Sequence, residues 1–241
     1  MKTSGAFSLR AGVLAAGRGE RLRAISGDLK PLVRVGGETL IERVLNSMAE
    51  ANASEVTVII NEDSASVRDH VTARRWPFTL RWIVETTPTS MHSFLRLVEA
   101  LAADGNQGPF LLSTVDTVAG PKAYANFMER ARAQQVAMTL ALTSPGNDEK
   151  PLLLRLAAGE SRIAAFGEGE YATAGVYAVR PDVLREAEAA RRDGIDALRK
   201  FVARLLDRGY PLAGIPISRS VDVDRPTDIE AAETFLRTAR I

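Results

Sequence analysis

An apolar run at residues 11–16 ends directly in a glycine turn that contains Gly17 and Gly19. The run predicts a buried strand, and the turn is typical of a chain that leaves a strand for a helix. Glycine lacks a Cβ, so backbone N–H groups in such a turn can approach an anionic ligand closely. The segment therefore predicts an α/β fold with a phosphate site near residue 20.

Two cations accompany this turn and are candidate catalytic residues. Arg21 follows the second glycine by two positions, and Lys30 begins a Lys-Pro-Leu-Val segment nine residues later. A guanidinium can hold two phosphate oxygens at once, whereas an ammonium acts as a point charge. Lys30 would stabilise negative charge that builds up during phosphate transfer. Both residues are expected to bind phosphates of a nucleotide.

Two common phosphate motifs are excluded. The dinucleotide fingerprint needs a third glycine where Leu22 stands, and no G-x-x-x-x-G-K-[ST] sequence occurs. The remaining pattern, L-A-A-G-R-G-E-R-L followed by K-P-L-V, resembles the signature of the nucleotidyltransferase superfamily. That superfamily includes sugar-1-phosphate nucleotidyltransferases and molybdenum-cofactor guanylyltransferases. The simpler alternative, a strand-to-helix turn with solvated cations, leaves the spacing of Lys30 unexplained.

The resemblance implies an enzyme that joins an NTP to a phosphorylated small-molecule acceptor and releases pyrophosphate. It also implies a Rossmann-like three-layer α/β/α sandwich with a mostly parallel central sheet. Backbone groups near the turn would contact the nucleotide, and the residues concerned are Leu14, Ala15, Ala16, Gly17 and Gly19.

Composition is compatible with this function and excludes others. The chain has 241 residues, of which 46% are hydrophobic, so it is expected to form one NTP transferase domain over residues 1–241. A net charge of +1 gives no reason to expect nucleic acid or a membrane as partner. No apolar run approaches the ~20 residues of a membrane span, and cysteine is absent. We expect a soluble cytoplasmic protein.

Apolar periodicity predicts strands that alternate with helices, which is typical of a parallel sheet covered on both faces. Strands are predicted at residues 11–16, 55–60, 79–84, 110–114, 136–142, 152–156, 173–179 and 212–217. Helices are predicted at residues 40–48, 90–103, 123–134, 181–208 with a break near Gly194, and 226–239.

Carboxylates at two places predict a Mg²⁺ site. Asp116 follows the apolar strand at residues 110–114, at the edge where ligands bind in open α/β sheets. A hard cation held by carboxylates offsets the repulsion between two phosphorylated substrates. The segment at residues 220–229 resembles the D-x-G-T-P-E-D-L or x-D-T-P-E-D-L segment of these enzymes, which supplies a second metal ligand. One alignment selects Asp222, which is slightly favoured, and the other selects Asp224; Asp228 is interpreted as a helix first-turn acid.

The segments that would select the base and the acceptor are less specific. Ser90, in a polar loop that enters a helix, is expected to contact the nucleotide. Residues 163–177 resemble the I-x-x-F-x-E-K-P and N-x-G-x-Y segments of sugar-1-phosphate enzymes, which makes Glu168 and Gly175 acceptor-binding candidates. Gly169 stands where those enzymes have a lysine. A replacement cation is predicted to come from one of three residues, Lys150, Arg155 or Arg162.

Three alternatives remain open. The chain could be a cytidylyltransferase for a phospho-alcohol or a phosphonate, because the T-S-M-H-S-F sequence of residues 89–94 resembles the N-x-x-Y-S-L segment of those enzymes. It could be a molybdenum-cofactor nucleotidyltransferase, which shares the glycine-turn signature. The alternative that is not an enzyme is a regulatory module that binds nucleotide, against which the presence of Arg21, Lys30 and Asp116 argues.

Overall fold

A computed structural model describes residues 8–17, 19, 21–22, 27–145 and 151–239. The strands within these ranges are β1 Leu9–Leu14, β2 Arg34–Val35, β3 Glu38–Thr39, β4 Ala53–Ile60, β5 Thr79–Val84, β6 Phe110–Thr114, β7 Thr117–Ala119, β8 Met138–Thr143, β9 Leu153–Leu156, β10 Ile163–Phe166, β11 Tyr171–Val179, β12 Leu212–Pro216 and β13 Ser220–Asp222.

The helices in the same ranges are α1 Leu40–Glu50, α2 Ala65–Thr72, α3 Ser90–Ala102, α4 Ala123–Arg132, α5 Ala187–Arg192, α6 Leu198–Asp207 and α7 Pro226–Thr238. Two 3₁₀ turns, Lys30–Leu32 and Pro181–Glu186, add to them. Among these helices none is long and apolar enough to cross a membrane.

Nine of these strands form one sheet. Its main path is β10-β9-β11-β6-β1-β4-β5, while β8 pairs with β11 and β12 pairs with β8. The strands β6, β1, β4 and β5 run parallel to one another, and β11 enters antiparallel to β6. On β1, Ala11 pairs with Val56 on one side and Leu111 on the other, so β1 lies inside the parallel half. The predicted three-layer α/β/α fold with its parallel centre is confirmed.

Helices cover both faces of this sheet because successive buried side chains of a strand point to opposite faces, so that both faces are apolar. Leu111 of β6 packs into the core with α1 and α4, whereas Leu112 packs with α3 and α6 on the opposite face. The capping box of α1 shows how local sequence starts such a helix. There the Thr39 hydroxyl accepts a hydrogen bond from Glu42 N, and the Glu42 carboxylate accepts one from Thr39 N at 2.9 Å.

A third apolar cluster attaches the C-terminal helix beside the glycine turn. Leu22 and Val35 pack there against Val223 and against Phe235 of α7. The two-stranded pair of β13 and β7 leads into this helix, with Asp222 opposite Thr117. The C-terminal segment is therefore fixed next to the end of β6.

Several predicted boundaries change. The first strand ends at Leu14 rather than at residue 16, so the turn begins earlier. The long helix predicted at residues 181–208 is a 3₁₀ turn followed by α5 and α6, with the expected break at Gly194 in a left-handed conformation. Helix α2 and the short strands β2, β3, β7, β10 and β13 are additional elements.

Gly169 lies between β10 and β11 in a conformation that other residues rarely adopt, with φ of 139°. A Cβ at this position would lie 2.0 Å from the Leu154 carbonyl oxygen. We expect Gly169→Ala to lower the free energy of unfolding by about 2–4 kcal/mol, because the clash and the backbone strain add. The control is Gly159→Ala. Gly159 also has a positive φ, but a Cβ at this position would have no atom within 4 Å. Urea unfolding that shows equal losses for both variants would contradict this prediction.

Candidate active site

A cavity of about 1000 Å³ opens at the carboxyl ends of the parallel strands. The glycine turn after β1 lines it, as do the segments that follow β4, β5 and β6 and the start of α6. Ligands bind at this edge of open α/β sheets, because the loops that leave neighbouring strands meet there. Residues predicted for the nucleotide and residues predicted for the metal therefore share one cavity.

Lys30 lies at the centre of the site and is only 9% exposed. Its Nζ donates a hydrogen bond to Asp116 Oδ2 at 2.5 Å and another to Asp224 Oδ1. The three residues come from the 3₁₀ turn, from the end of β6 and from the segment before α7. The ammonium group thus attracts both carboxylates and offsets part of the repulsion between them.

The charges of this cluster depend on one another. Burial alone would lower the pKa of Lys30, but Asp116 and Asp224 outweigh burial and raise that pKa above its ordinary value. Burial alone would raise the pKa of Asp116, but the Lys30 ammonium holds that pKa below its usual range. At neutral pH the lysine is a cation and the aspartate is an anion.

Gly19 explains why the turn and Lys30 can be so close. A Cβ on Gly19 would lie 2.4 Å from Lys30 Cβ, which is too close for two carbon atoms that are not bonded. The glycine therefore lets the turn pack directly on the lysine stem. Gly19 and Lys30, which the sequence separates by eleven positions, form one contact.

Asp222 and Asp224 have different surroundings. Asp224 contacts Lys30, whereas Asp222 Oδ1 accepts a hydrogen bond from the Thr117 hydroxyl at 3.2 Å. The backbone holds the whole segment in place, since Val223 N donates to the Asp116 carbonyl at 3.0 Å. The structure brings Asp224, and not the slightly favoured Asp222, together with Asp116 around Lys30. Asp228 accepts hydrogen bonds from the backbone N–H groups of residues 224 and 225, as a first-turn acid does.

The donor set fits a hard cation. The carboxylates of Asp116 and Asp224, which come from distant segments, both contact the Lys30 ammonium. Asp222 lies two residues before Asp224, at the end of strand β13. Carboxylate oxygens are the ligands that Mg²⁺ prefers. Within the described ranges, no three acidic or imidazole side chains converge on one point.

The residues predicted to bind the nucleotide divide into two groups. Leu14, Ala16, Gly17, Gly19 and Arg21 line the cavity. Ala15 does not, which corrects the prediction: it is buried, and its N–H donates to the Ile59 carbonyl at 3.0 Å. Although β1 ends at Leu14, the Ala15 amide extends the pairing with β4 by one residue and does not face the cavity.

Ser90 lines the cavity and joins two helices there. Its hydroxyl accepts a hydrogen bond from Leu198 N at 3.0 Å, so it caps the start of α6. Nearby, the hydroxyls of Thr87 and Ser93 share a hydrogen bond of 2.5 Å. The polar loop predicted to contact the nucleotide is thus an ordered wall of the cavity.

Two further residues belong to the site although sequence reasoning did not find them. Asn61 follows β4, is buried, and donates from Nδ2 to the Ala16 carbonyl at 3.1 Å, so it positions the turn. Arg199 lies in the first turn of α6 and lines the cavity. A polar residue directly after a buried strand was the available signal for Asn61. For Arg199 no sequence signal existed, since only the fold brings α6 to the cavity.

The acceptor-binding candidates lie outside this cavity. Glu168 is exposed in the loop after β10, and Gly175 is inside β11 next to the Thr114 and Thr117 hydroxyls. Of the cations suggested to replace a lysine at residue 169, Arg155 and Arg162 are exposed and do not line the cavity. Lys150 lies outside the described residues.

Among known proteins, the bifunctional IPC transferase and DIPP synthase of Rubrobacter xylanophilus is 29% identical over 247 aligned positions. The alignment covers 98% of this chain and 53% of that protein, so the chain spans about half the length of this relative.

Solved structures share the fold. The inositol-1-phosphate CTP transferase from T. maritima superposes with a TM-score of 0.75 at 17% identity, over 95% of this chain and 98% of the other. A UDP-glucose pyrophosphorylase without ligand gives a TM-score of 0.77 at 15% identity, over 97% of this chain and the full length of the other. The family model of the MobA-like NTP transferase domain matches residues 11–207, which include the glycine turn, Lys30 and Asp116. The chain therefore belongs to the family of MobA-like NTP transferase domains.

Proposed function

We propose that this protein is a Mg²⁺-dependent nucleotidyltransferase that joins an NTP to a phosphorylated small-molecule acceptor. The single observation that carries the proposal is the Lys30 ammonium, held between Asp116 and Asp224 in the cavity that the glycine turn lines. Phosphoryl-type transfer requires positioned positive charge more than it requires a proton acceptor, and the Lys30 ammonium supplies such charge.

The proposed reaction exchanges one phosphoanhydride bond for another. A phosphate oxygen of the acceptor attacks the α-phosphorus of the NTP, and the bond from that phosphorus to the bridging oxygen of the β-phosphate breaks. Pyrophosphate leaves with the electron pair of that bond. Arg21 and Lys30 hold phosphate oxygens and stabilise the charge that builds up on the leaving group. The protein groups around this cluster keep the two substrates aligned.

Asp116 with Asp224 or Asp222 would hold Mg²⁺. The ion supplies a Lewis acid that neutralises charge on the triphosphate. Because Lys30 contacts Asp116 and Asp224 directly, its ammonium also stabilises this acid pair whenever no other cation does.

The favoured acceptor is the phosphate of a small alcohol or polyol, with CTP as the nucleotide. The R. xylanophilus protein, which is named for IPC and DIPP chemistry, aligns with 98% of this chain. The backbone at Gly169 also leaves no room for the lysine of the sugar-1-phosphate enzymes. These two observations support an acceptor other than a hexose 1-phosphate.

The test is a matrix of four NTPs against phosphorylated acceptors, measured as Mg²⁺-dependent pyrophosphate release. We expect CTP with inositol 1-phosphate or phosphocholine to react with a higher kcat/KM than any NTP with glucose 1-phosphate. Efficient turnover of a hexose 1-phosphate would overturn the choice of acceptor and return the protein to sugar-nucleotide chemistry. Turnover of only a molybdenum-cofactor pterin phosphate would support that alternative, and nucleotide binding without any turnover would support a regulatory module.

A further inference from the structure

A second cavity, of about 710 Å³, adjoins the first. Arg21 and Asp224 line both cavities, so the two meet beside the cluster around Lys30. The remaining walls come from the ends of β8 and β11, from the segment between β12 and β13, and from the first turn of α7. A ligand in the second cavity and a ligand in the first cavity would therefore approach the Lys30 cluster from different sides.

Three arginines line the second cavity, namely Arg21, Arg219 and Arg225. The acids in its wall are engaged by other groups. Asp224 contacts Lys30, Asp228 accepts two backbone N–H groups, and Asp222 accepts the Thr117 hydroxyl. The wall therefore places two guanidinium groups, those of Arg219 and Arg225, on the side of the cluster that the first cavity does not cover.

Arg219 is the distinctive residue of this wall. Its side chain is exposed, and within the part of the chain that the structure describes it makes no ion pair. A guanidinium in this position can bind a phosphate group through two N–H groups. Hydroxyls accompany it in the same wall, from Thr173, Ser220 and Thr227. Such a mixture suits a ligand that carries both a phosphate and hydroxyl groups.

The same wall contains cations that could replace the lysine of the sugar-1-phosphate enzymes, which Gly169 does not supply. Any side chain at residue 169 would collide with the Leu154 backbone, so a cation for the acceptor has to come from another segment. Arg155 and Arg162 line neither cavity. Arg219 and Arg225 lie in the wall itself, on the segment that also carries Asp222 and Asp224.

We propose that the second cavity is the acceptor site and that Arg219, assisted by Arg225, binds the phosphate of a polyhydroxylated phosphate monoester. The inference rests on the proposed function, and it assigns the acceptor to residues that the family signature does not contain. The acceptor phosphate would be held beside Arg21 and Asp224, from where one of its oxygens attacks the α-phosphorus as described above. Arg219 binds and orients the acceptor and takes no proton.

The experiment measures binding and turnover separately in the full-length protein. Calorimetry with inositol 1-phosphate as probe, in the presence of Mg²⁺ and a non-hydrolysable CTP analogue, compares wild type with Arg219→Glu and Arg225→Gln. The control is Arg68→Glu, an exposed arginine on α2 that lines neither cavity. Titration with unphosphorylated inositol tests whether the phosphate is the recognised group.

We expect Arg219→Glu to weaken binding of inositol 1-phosphate, and to raise its KM, by about tenfold or more. The Kd of the CTP analogue should change by less than about twofold, and Arg68→Glu should match wild type. Unchanged acceptor binding in Arg219→Glu, or an equal loss of nucleotide affinity, overturns the assignment of this cavity. If another acceptor proves to be the substrate, the same comparison of KM values applies to it. Absence of pyrophosphate release with every acceptor overturns the proposed function itself, which is a distinct outcome.

Discussion

Lys30→Met is expected to slow pyrophosphate release by about a hundredfold or more. Methionine keeps most of the length of the buried stem but removes the ammonium that contacts Asp116 and Asp224. Steady-state rates at saturating NTP, Mg²⁺ and acceptor measure the effect. Lys200→Met is the control, because Lys200 is an exposed lysine on α6 that pairs with Asp196 and lines neither cavity. Normal turnover in a folded Lys30→Met protein would exclude Lys30 from the chemistry.

The same substitution should change stability in a pH-dependent way. Removing one partner of a fully buried charge pair costs about 3–5 kcal/mol, and we expect a smaller loss here because the Asp224 side chain is half exposed. The pKa of Asp116 is lowered in the folded protein, so its stabilising contribution is present above about pH 4 and is lost as the pH falls further. The difference in unfolding free energy between wild type and Lys30→Met should therefore shrink below about pH 4. Urea unfolding at about pH 7 and about pH 3 measures that difference.

Asp116→Asn should reduce turnover by about a hundredfold or more, and extra Mg²⁺ should restore only part of it. A neutral amide oxygen holds a hard cation more weakly than a carboxylate does. The change also removes one of the two charges that position Lys30. Rates measured over a range of Mg²⁺ concentrations separate weaker metal binding from lost positioning. Asp69→Asn, at an exposed site on α2, is the control.

The two C-terminal aspartates provide an internal comparison for this prediction. Because Asp224 contacts Lys30 and Asp222 contacts Thr117, Asp224→Asn should lower the rate more than Asp222→Asn does. The opposite order would assign the role of metal ligand to Asp222, as the slightly favoured alignment has it. Negligible effects of both would mean that the segment serves only to begin α7.

Much of the fold was predictable because its elements have strong periodic patterns. The predicted bounds of β5 and β6 agree with the structure, and those of α3 differ by one residue. The missed strands β7 and β13 have three residues each, too few for a pattern, and they exist because they pair with each other. Helix α2 was missed because only Val67 and Val71 in it are buried.

Site residues were predictable where the residue type suits the chemistry and the residue also lies in a sequence motif. They were not predictable where tertiary packing determines which side chains meet. Lys30 and Asp116 were identified from residue type and spacing, and the structure brings them into contact. The contact between Lys30 and Asp224 was not predictable, because both alignments of the C-terminal segment satisfied the pattern. Ala15 was predicted to face the nucleotide because the motif includes it, although the strand pairing uses its N–H.

The pairing of Lys30 with Asp224 joins residues that are 194 positions apart, and Lys30 and Asp116 are 86 positions apart. Closing loops of this length costs conformational entropy before the long-range contacts offset that cost. The charged cluster therefore cannot assemble in a nascent chain that has not yet reached α7, however well the parallel strands have formed. In a refolding experiment, catalytic activity should return only with the docking of the C-terminal segment, and later than the helical signal in circular dichroism.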